Sequence, residues 1–166
     1  RVSPTTAAHV RAELGDTLHI LDGGPCAVGV ESTIVDLSGP TAALLRPGGV
    51  TRAEIERTTG PLQTGSATPA PGTLPGHYAP RTALRLHPAP HAEAARARAQ
   101  GLRVAVLEAG PVEQYARDLY AALRRLDSTG VDLLVAQPAP EGGLGDAIND
   151  RLQRAAFGAG EPSADQ

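Results

Sequence analysis

Beyond residue 82 the chain alternates three times between a short apolar run and a longer amphipathic stretch, and this alternation constrains the fold more than any other feature. Leu84-Arg85-Leu86 reads as a strand, and residues 91–100, rich in Ala and Arg, read as a helix ended by Gly101. Val104-Ala105-Val106-Leu107 is a continuous apolar run, suited to a parallel strand buried on both faces. Val112, Ala116, Leu119, Leu123 and Leu126 fall at steps of four, three, four and three, the spacing of one helix face. Residues 131–136 read as the next buried strand. Residues 144–157 read as the last helix, with Leu144, Ile148, Leu152 and Ala155 on one face. Strand–helix repeated three times calls for crossover connections between parallel strands. Residues 82–158 are therefore expected to form a small Rossmann-like, three-layer α/β domain with a parallel sheet, followed by a tail at 159–166.

Residues 1–60 are organised differently. Ser3 is a suitable N-cap for a helix with Pro4 in its first turn, and Ala7, Val10 and Leu14 space its apolar face up to Gly15. Residues 18–21 read as a strand, Asp22-Gly23-Gly24-Pro25 as a turn, and residues 30–37 as a second strand. After Ser38-Gly39-Pro40 a third strand, 43–45, ends at Arg46. Thr51 then caps a short helix, with Glu54 completing a capping box and Ile55 as its expected core contact. Helix, three strands and helix offer too little apolar surface for an independent domain. This part reads as the back half of one, and the chain opens on Arg1 rather than Met. Between the two parts, residues 61–81 carry Pro61, Pro69, Pro71, Pro75 and Pro80 among several glycines, the composition of a semi-extended linker.

Few chemistries are signalled directly. The net charge of −3 gives no basic footprint for nucleic acid, so direct RNA or tRNA binding is a weak alternative. Cys26 is the lone cysteine and reads as a small apolar filler. The five histidines show no metal-ligand spacing, and no Gly-x-Ser-x-Gly elbow is present. Residues 141–146, Glu-Gly-Gly-Leu-Gly-Asp, lie between strand and helix, where a phosphate loop would lie. They match neither common phosphate-loop pattern, and a tight turn with Asp146 near the helix start fits better. No apolar run reaches the length of a membrane span, and a cytoplasmic protein is the expectation.

The most suggestive stretch is Gly29-Val30-Glu31-Ser32-Thr33-Ile34-Val35-Asp36-Leu37, followed by Leu45-Arg46-Pro47-Gly48. If these strands pair, Ser32, Thr33 and Arg46 can share a pocket, the hydroxyls orienting a polar ligand and the guanidinium gripping phosphate or carboxylate. A purely structural use of such residues is the commoner one, and both readings stay open. So it is for Ser3 and Thr5, as caps or as part of an anion-facing helix start. His77-Tyr78 could pin the linker to a surface or touch a ligand.

Taken in order, Ser3-Pro4-Thr5-Thr6-Ala7-x-His9-Val10, Leu21-Asp22-Gly23-Gly24-Pro25, the Gly29–Leu37 stretch and Leu45-Arg46-Pro47-Gly48 resemble the C-terminal part of the YrdC-like α/β domain of L-threonylcarbamoyladenylate synthases. Pro71-Gly72, His77-Tyr78-Ala79-Pro80 and Gly143-Leu144-Gly145-x-Ala147-Ile148-Asn149-Asp150-Arg151-Leu152 resemble the linker and accessory domain of the two-domain form. The resemblance implies a nucleotidyltransferase that makes threonylcarbamoyl-AMP and pyrophosphate from L-threonine, bicarbonate and ATP with Mg2+. Its product serves a downstream threonylcarbamoyl transferase that modifies tRNA. It further implies that Ser32 holds threonine, that Arg46 holds ATP phosphates, that Ser3 or Thr5 sits at the nucleotide, and that His77 and Tyr78 close over it. No catalytic residue is assigned. The family's Lys-x-Arg and Ser-x-Asn motifs do not occur ahead of Ser3, so the chain resembles a truncated synthase. The alternative is a non-catalytic interaction or regulatory α/β domain.

Overall fold

A computed structural model describes residues 1–65, 68–73 and 76–158. Pro75 of the linker and the tail at 159–166 lie outside the described residues. The first part holds α1 (Ala7–Leu14), β1 (Ile34–Asp36), β2 (Ala43–Arg46), α2 (Arg52–Thr59) and β3 (Gln63–Thr64). β1 and β2 are antiparallel, and β3 runs parallel to β2 on its other side. The second part alternates β4 (Ala83–Leu86), α3 (Pro90–Ala99), β5 (Val104–Leu107), α4 (Val112–Asp127), β6 (Leu133–Ala136) and α5 (Leu144–Gly158). Its three strands are parallel in the order β4-β6-β5.

This α/β arrangement follows from the apolar pattern. β6 is central and buried along its whole length. Ala94 and Ala97 of α3 cover one face of the sheet through Val104, Leu133 and Val135. α4 and α5 cover the other, where Leu119, Leu134 and Leu152 are 0% exposed. Full burial of each such leucine stabilises by about 1.5–3 kcal/mol. Val2, Val30 and Tyr78 pack into this same core. The first part and the linker are thus seated directly on α4 and α5.

Local differences from the sequence expectation have physical reasons. α1 is capped by Thr6, whose hydroxyl accepts from His9 N at 3.2 Å, so Ser3 is released from capping and turns elsewhere. Residues 18–21 form no strand; Leu18 and Leu21 are exposed, and an apolar run becomes a strand only where a neighbour completes its ladder. Residues 30–33 precede β1 as irregular chain, and the ladder itself is irregular between Ile34 and Val35. The Thr51–Glu54 capping box forms as expected, but Ile55 is only half-buried. Leu14, Leu18, Leu21, Val28, Leu37 and Val50 all stand exposed in the first part, against Phe157 alone in the second among the described residues. No helix among them is long and apolar enough to cross a membrane.

Candidate functional site

β2 delivers Arg46 to a buried position beside the chain that leads into β1. Its Nε and Nη2 donate to the carbonyl of Ser32 at 3.2 and 2.7 Å, Nη1 donates to the carbonyl of Pro71 at 3.0 Å, and Nη2 lies 3.4 Å from Ser32 Oγ. Every one of these acceptors is neutral. The guanidinium is therefore oriented by dipoles, while its charge is matched by no carboxylate ion pair among the described residues. Gly48 closes the other side: a Cβ there would fall on the backbone of Glu31, Ser32 and Thr33. Gly49 N donates to Glu31 O at 3.0 Å, and Thr33 Oγ1 donates to Val50 O.

The linker passes Arg46 at Gly72, whose φ is +81° and where a Cβ would meet Tyr78 Oη and Arg46 Nη1 closer than 3.0 Å. Tyr78 itself has φ +67°, an unusual value for an aromatic residue, and is buried. Its ring stacks on Tyr120 at 5.5 Å between centroids, and Arg151 Cζ lies 5.3 Å from the ring centroid. Burial raises the Tyr78 hydroxyl pKa above its ordinary value, so the group is a neutral donor at physiological pH. His77 meets Tyr78 edge-on at 5.4 Å and is exposed.

Glu31, next to Ser32, collects bonds from three directions. Ser3 Oγ donates at 2.8 Å, the Tyr120 hydroxyl lies 3.0 and 2.8 Å from its two oxygens, and Arg151 Nε donates at 2.8 Å. Burial works to raise the Glu31 pKa, but Arg151, Ser3 and Tyr120 outweigh it and hold the carboxylate below its ordinary value. Arg124 of α4 donates to the carbonyls of Val2 and Ser3 and pairs with Glu13 at 3.0 Å, fastening the opening segment.

Four of the seven sequence-predicted site residues thus come together: Ser32, Arg46 and Tyr78 around the Gly72 turn, and Ser3 through Glu31; Thr33, expected beside Ser32, spends its hydroxyl on the Val50 carbonyl. Thr5 is buried to one side, bonded to His9 Nδ1 at 3.2 Å and accepting from Cys26 N at 3.0 Å, and it lines a separate small cavity of about 140 Å³. His77 joins only through its ring contact with Tyr78. Cys26 is exposed, not a filler. Glu31, Tyr120 and Arg151 were given no role by sequence reasoning. Arg151 carried a signal nonetheless: it sits three residues after Ile148 and seven after Leu144, a charge within the apolar stripe of α5.

Among known proteins, the family profile described as "Threonylcarbamoyl-AMP synthase, C-terminal domain" matches residues 50–157, and one described as "Telomere recombination" matches residues 1–48. The threonylcarbamoyl-AMP synthase of Pyrococcus abyssi is 35% identical over 92% of this chain and 54% of its own length. Its namesake from Bacillus subtilis is 35% identical over 94% of this chain and 54% of its own length. The one from Schizosaccharomyces pombe is 30% identical over 94% and 49%. The chain spans about half the length of the curated relatives it matches. The crystal structure of P. abyssi Sua5 complexed with L-threonine superposes with a TM-score of 0.87 at 34% identity, over 95% of this chain and 55% of that one. A variant of that protein, with an adjacent histidine and tyrosine both changed to alanine, superposes at 0.84 and 32% identity, over 95% of this chain and 54% of that one. Matched in order by both profiles and over nearly its whole length by these relatives, the chain belongs to the threonylcarbamoyl-AMP synthase family.

Proposed function

We propose that this chain supplies part of a site in which L-threonine, bicarbonate and ATP become threonylcarbamoyl-AMP and pyrophosphate, the product passing to a threonylcarbamoyl transferase that acts on tRNA. The carbamate formed from threonine and bicarbonate attacks the α-phosphorus. A new P–O bond forms, and pyrophosphate leaves with the electrons of the bond that breaks. Such a displacement asks the protein for positioning and charge neutralisation more than for covalent chemistry. Ser32 Oγ, exposed beside a fixed backbone, is placed to hold threonine. In this reading Arg46 takes a phosphate oxygen, and Ser3, whose hydroxyl is bonded to Glu31, sits at the nucleotide. Thr5, through its side cavity, and His77 with Tyr78, from the linker, bound the nucleotide. No cluster of three His, Cys, Asp or Glu side chains able to hold a metal stands among the described residues, so magnesium would enter with the triphosphate and would offset its charge there. Residues 82–158 act as an accessory unit holding the linker in place.

The observation that carries this reading is the buried Arg46 guanidinium, ringed by neutral acceptors and shared between the Ser32 segment and the linker. An anion is the complement such a charge lacks. The test is pyrophosphate release from ATP by the intact protein carrying this sequence. Release that depends on both L-threonine and bicarbonate is expected, and release indifferent to threonine overturns the reading.

A further inference from the structure

Arg151 lies on α5, in the accessory part of the chain, yet its nearest anion other than its neighbour Asp150 is Glu31. It is 0% exposed. Nε donates to Glu31 Oε2 at 2.8 Å and Nη1 to Asp150 Oδ2 at 2.7 Å, while Nη2 is buried with no hydrogen-bond partner. Asp150 is also held by Arg154, at 3.0 Å from Nε and 2.8 Å from Nη2. The four charges therefore run as one chain, Glu31–Arg151–Asp150–Arg154, with Arg151 bonded to both carboxylates. A buried guanidinium with one nitrogen unsatisfied is a poor source of stability, so its placement calls for another reason.

That reason lies two bonds away. Glu31 Oε1 holds Ser3 Oγ, and the next residue, Ser32, presents the carbonyl that orients Arg46. We propose that Arg151 is a positioning residue for the substrate site: through Glu31 it fixes the Ser3 hydroxyl and the Glu31–Thr33 backbone, so that α5 sets the geometry in which threonine and nucleotide are held. This proposal rests on the function proposed above. Without the guanidinium, Glu31 is a partly buried charge, its side chain 26% exposed, bonded to the Ser3 and Tyr120 hydroxyls with no cation beside it. It must turn out to water or take up a proton. Turning out breaks both hydroxyl bonds. Protonation makes one oxygen a donor and leaves the other to accept from Ser3 and Tyr120 more weakly than the carboxylate does. Either way the hold on Ser3 slackens and the backbone at Ser32 loosens.

The test compares Arg151→Met, Arg151→Lys and the double variant Arg151→Met/Glu31→Gln in the intact protein. Threonine KM, kcat, thermal midpoint and amide hydrogen exchange at residues 31–33 are read in each. Arg151→Met should raise the threonine KM by about tenfold or more and speed exchange at residues 31–33. Glu31→Gln removes the stranded charge but keeps an oxygen for Ser3 and Tyr120, so the double variant should return KM to within about threefold of wild type. Arg151→Lys protects the experiment against simple unfolding. It keeps the charge but cannot serve two carboxylates from a fork, so the midpoint should hold while KM still rises. If the variants shift only the midpoint, with KM and exchange unchanged, Arg151 is merely structural and the proposal is overturned. If wild type shows no threonine-dependent turnover, the functional reading fails instead. Exchange then decides the coupling: unaltered protection in Arg151→Met sinks it, and loss restored in the double variant sustains it.

Discussion

Arg46 grips Ser32 by its backbone: Nη2 lies 2.7 Å from the serine carbonyl and 3.4 Å from its hydroxyl. The lock between β2 and the segment before β1 therefore does not need the Ser32 side chain. Ser32→Ala should leave the thermal midpoint nearly unchanged, within about 0.5 kcal/mol in stability. It should weaken L-threonine binding by roughly 1 kcal/mol, about fivefold, as one neutral hydrogen bond is lost. Calorimetric titration of threonine separates the two effects. A large loss of stability with unaltered binding would show that the hydroxyl serves the fold.

Arg46 itself has no such separation. Its donors join three segments, so Arg46→Ala should lower stability and raise the ATP requirement together. The second effect should reach roughly 2 kcal/mol, the scale of a lost charged contact. Arg46→Lys should recover little of either, because one ammonium cannot reach the Ser32 and Pro71 carbonyls in the directions of a planar fork. ATP titrations at saturating threonine would measure it. Unchanged ATP dependence in a folded Arg46→Ala protein would remove Arg46 from the phosphate site.

The contrast between Arg46 and Arg151 shows what a sequence can and cannot disclose. Arg46 ends an apolar run beside Pro-Gly, so its place at a strand end was readable. The α4 stripe from Val112 was readable too, because a spacing held over five residues leaves one face to bury; the helix is observed as Val112–Asp127. The Thr51–Glu54 box is local chemistry and formed as local chemistry predicts. Residues 18–21 misled because strand formation depends on a distant neighbour. Gln63–Thr64 was read as linker because two polar residues carry no period, yet its ladder to β2 makes it a strand. The Glu31–Arg151 pair spans 120 positions, and no pattern within either segment names the other.

Glycine 48 and glycine 72 crowd the same site for different reasons, which makes them separable. At Gly72 the added methyl would meet side-chain atoms, Tyr78 Oη and Arg46 Nη1, and the φ of +81° strains any other residue. Gly72→Ala should cost about 1–3 kcal/mol and free the linker at Tyr78. At Gly48 the methyl would meet only backbone, from Glu31 O to Thr33 N, which cannot rotate aside. Gly48→Ala should cost about 3 kcal/mol or more. Denaturant midpoints test the order. Equal, small losses at both would mean that the Glu31–Thr33 segment shifts easily and is no rigid platform.

Acid stability offers a check on the accessory sheet that is independent of ligands. Arg103, before β5, and Asp132, before β6, form a paired contact: Nη2 to Oδ1 at 2.7 Å, Nε to Oδ2 at 3.0 Å, and the Arg103 backbone N to Oδ2 at 2.8 Å. The Arg103 side chain, then its backbone N–H, hold the Asp132 carboxyl at about 2, against an ordinary 3.8. A depressed carboxylate stabilises the fold fully above its ordinary value, and that contribution is lost as pH falls towards the folded one. The window is therefore pH 3.8 down to about 2. Asp132→Asn should be less stable than wild type above this window, and the two should converge through it. Glu31 and Glu93, each held below its ordinary value with an arginine bonded to it, titrate in both proteins and cancel in the difference. Urea midpoints of the two proteins, measured across this range, decide the matter. Curves that stay parallel would show that the Arg103–Asp132 contact contributes nothing to joining the two strands.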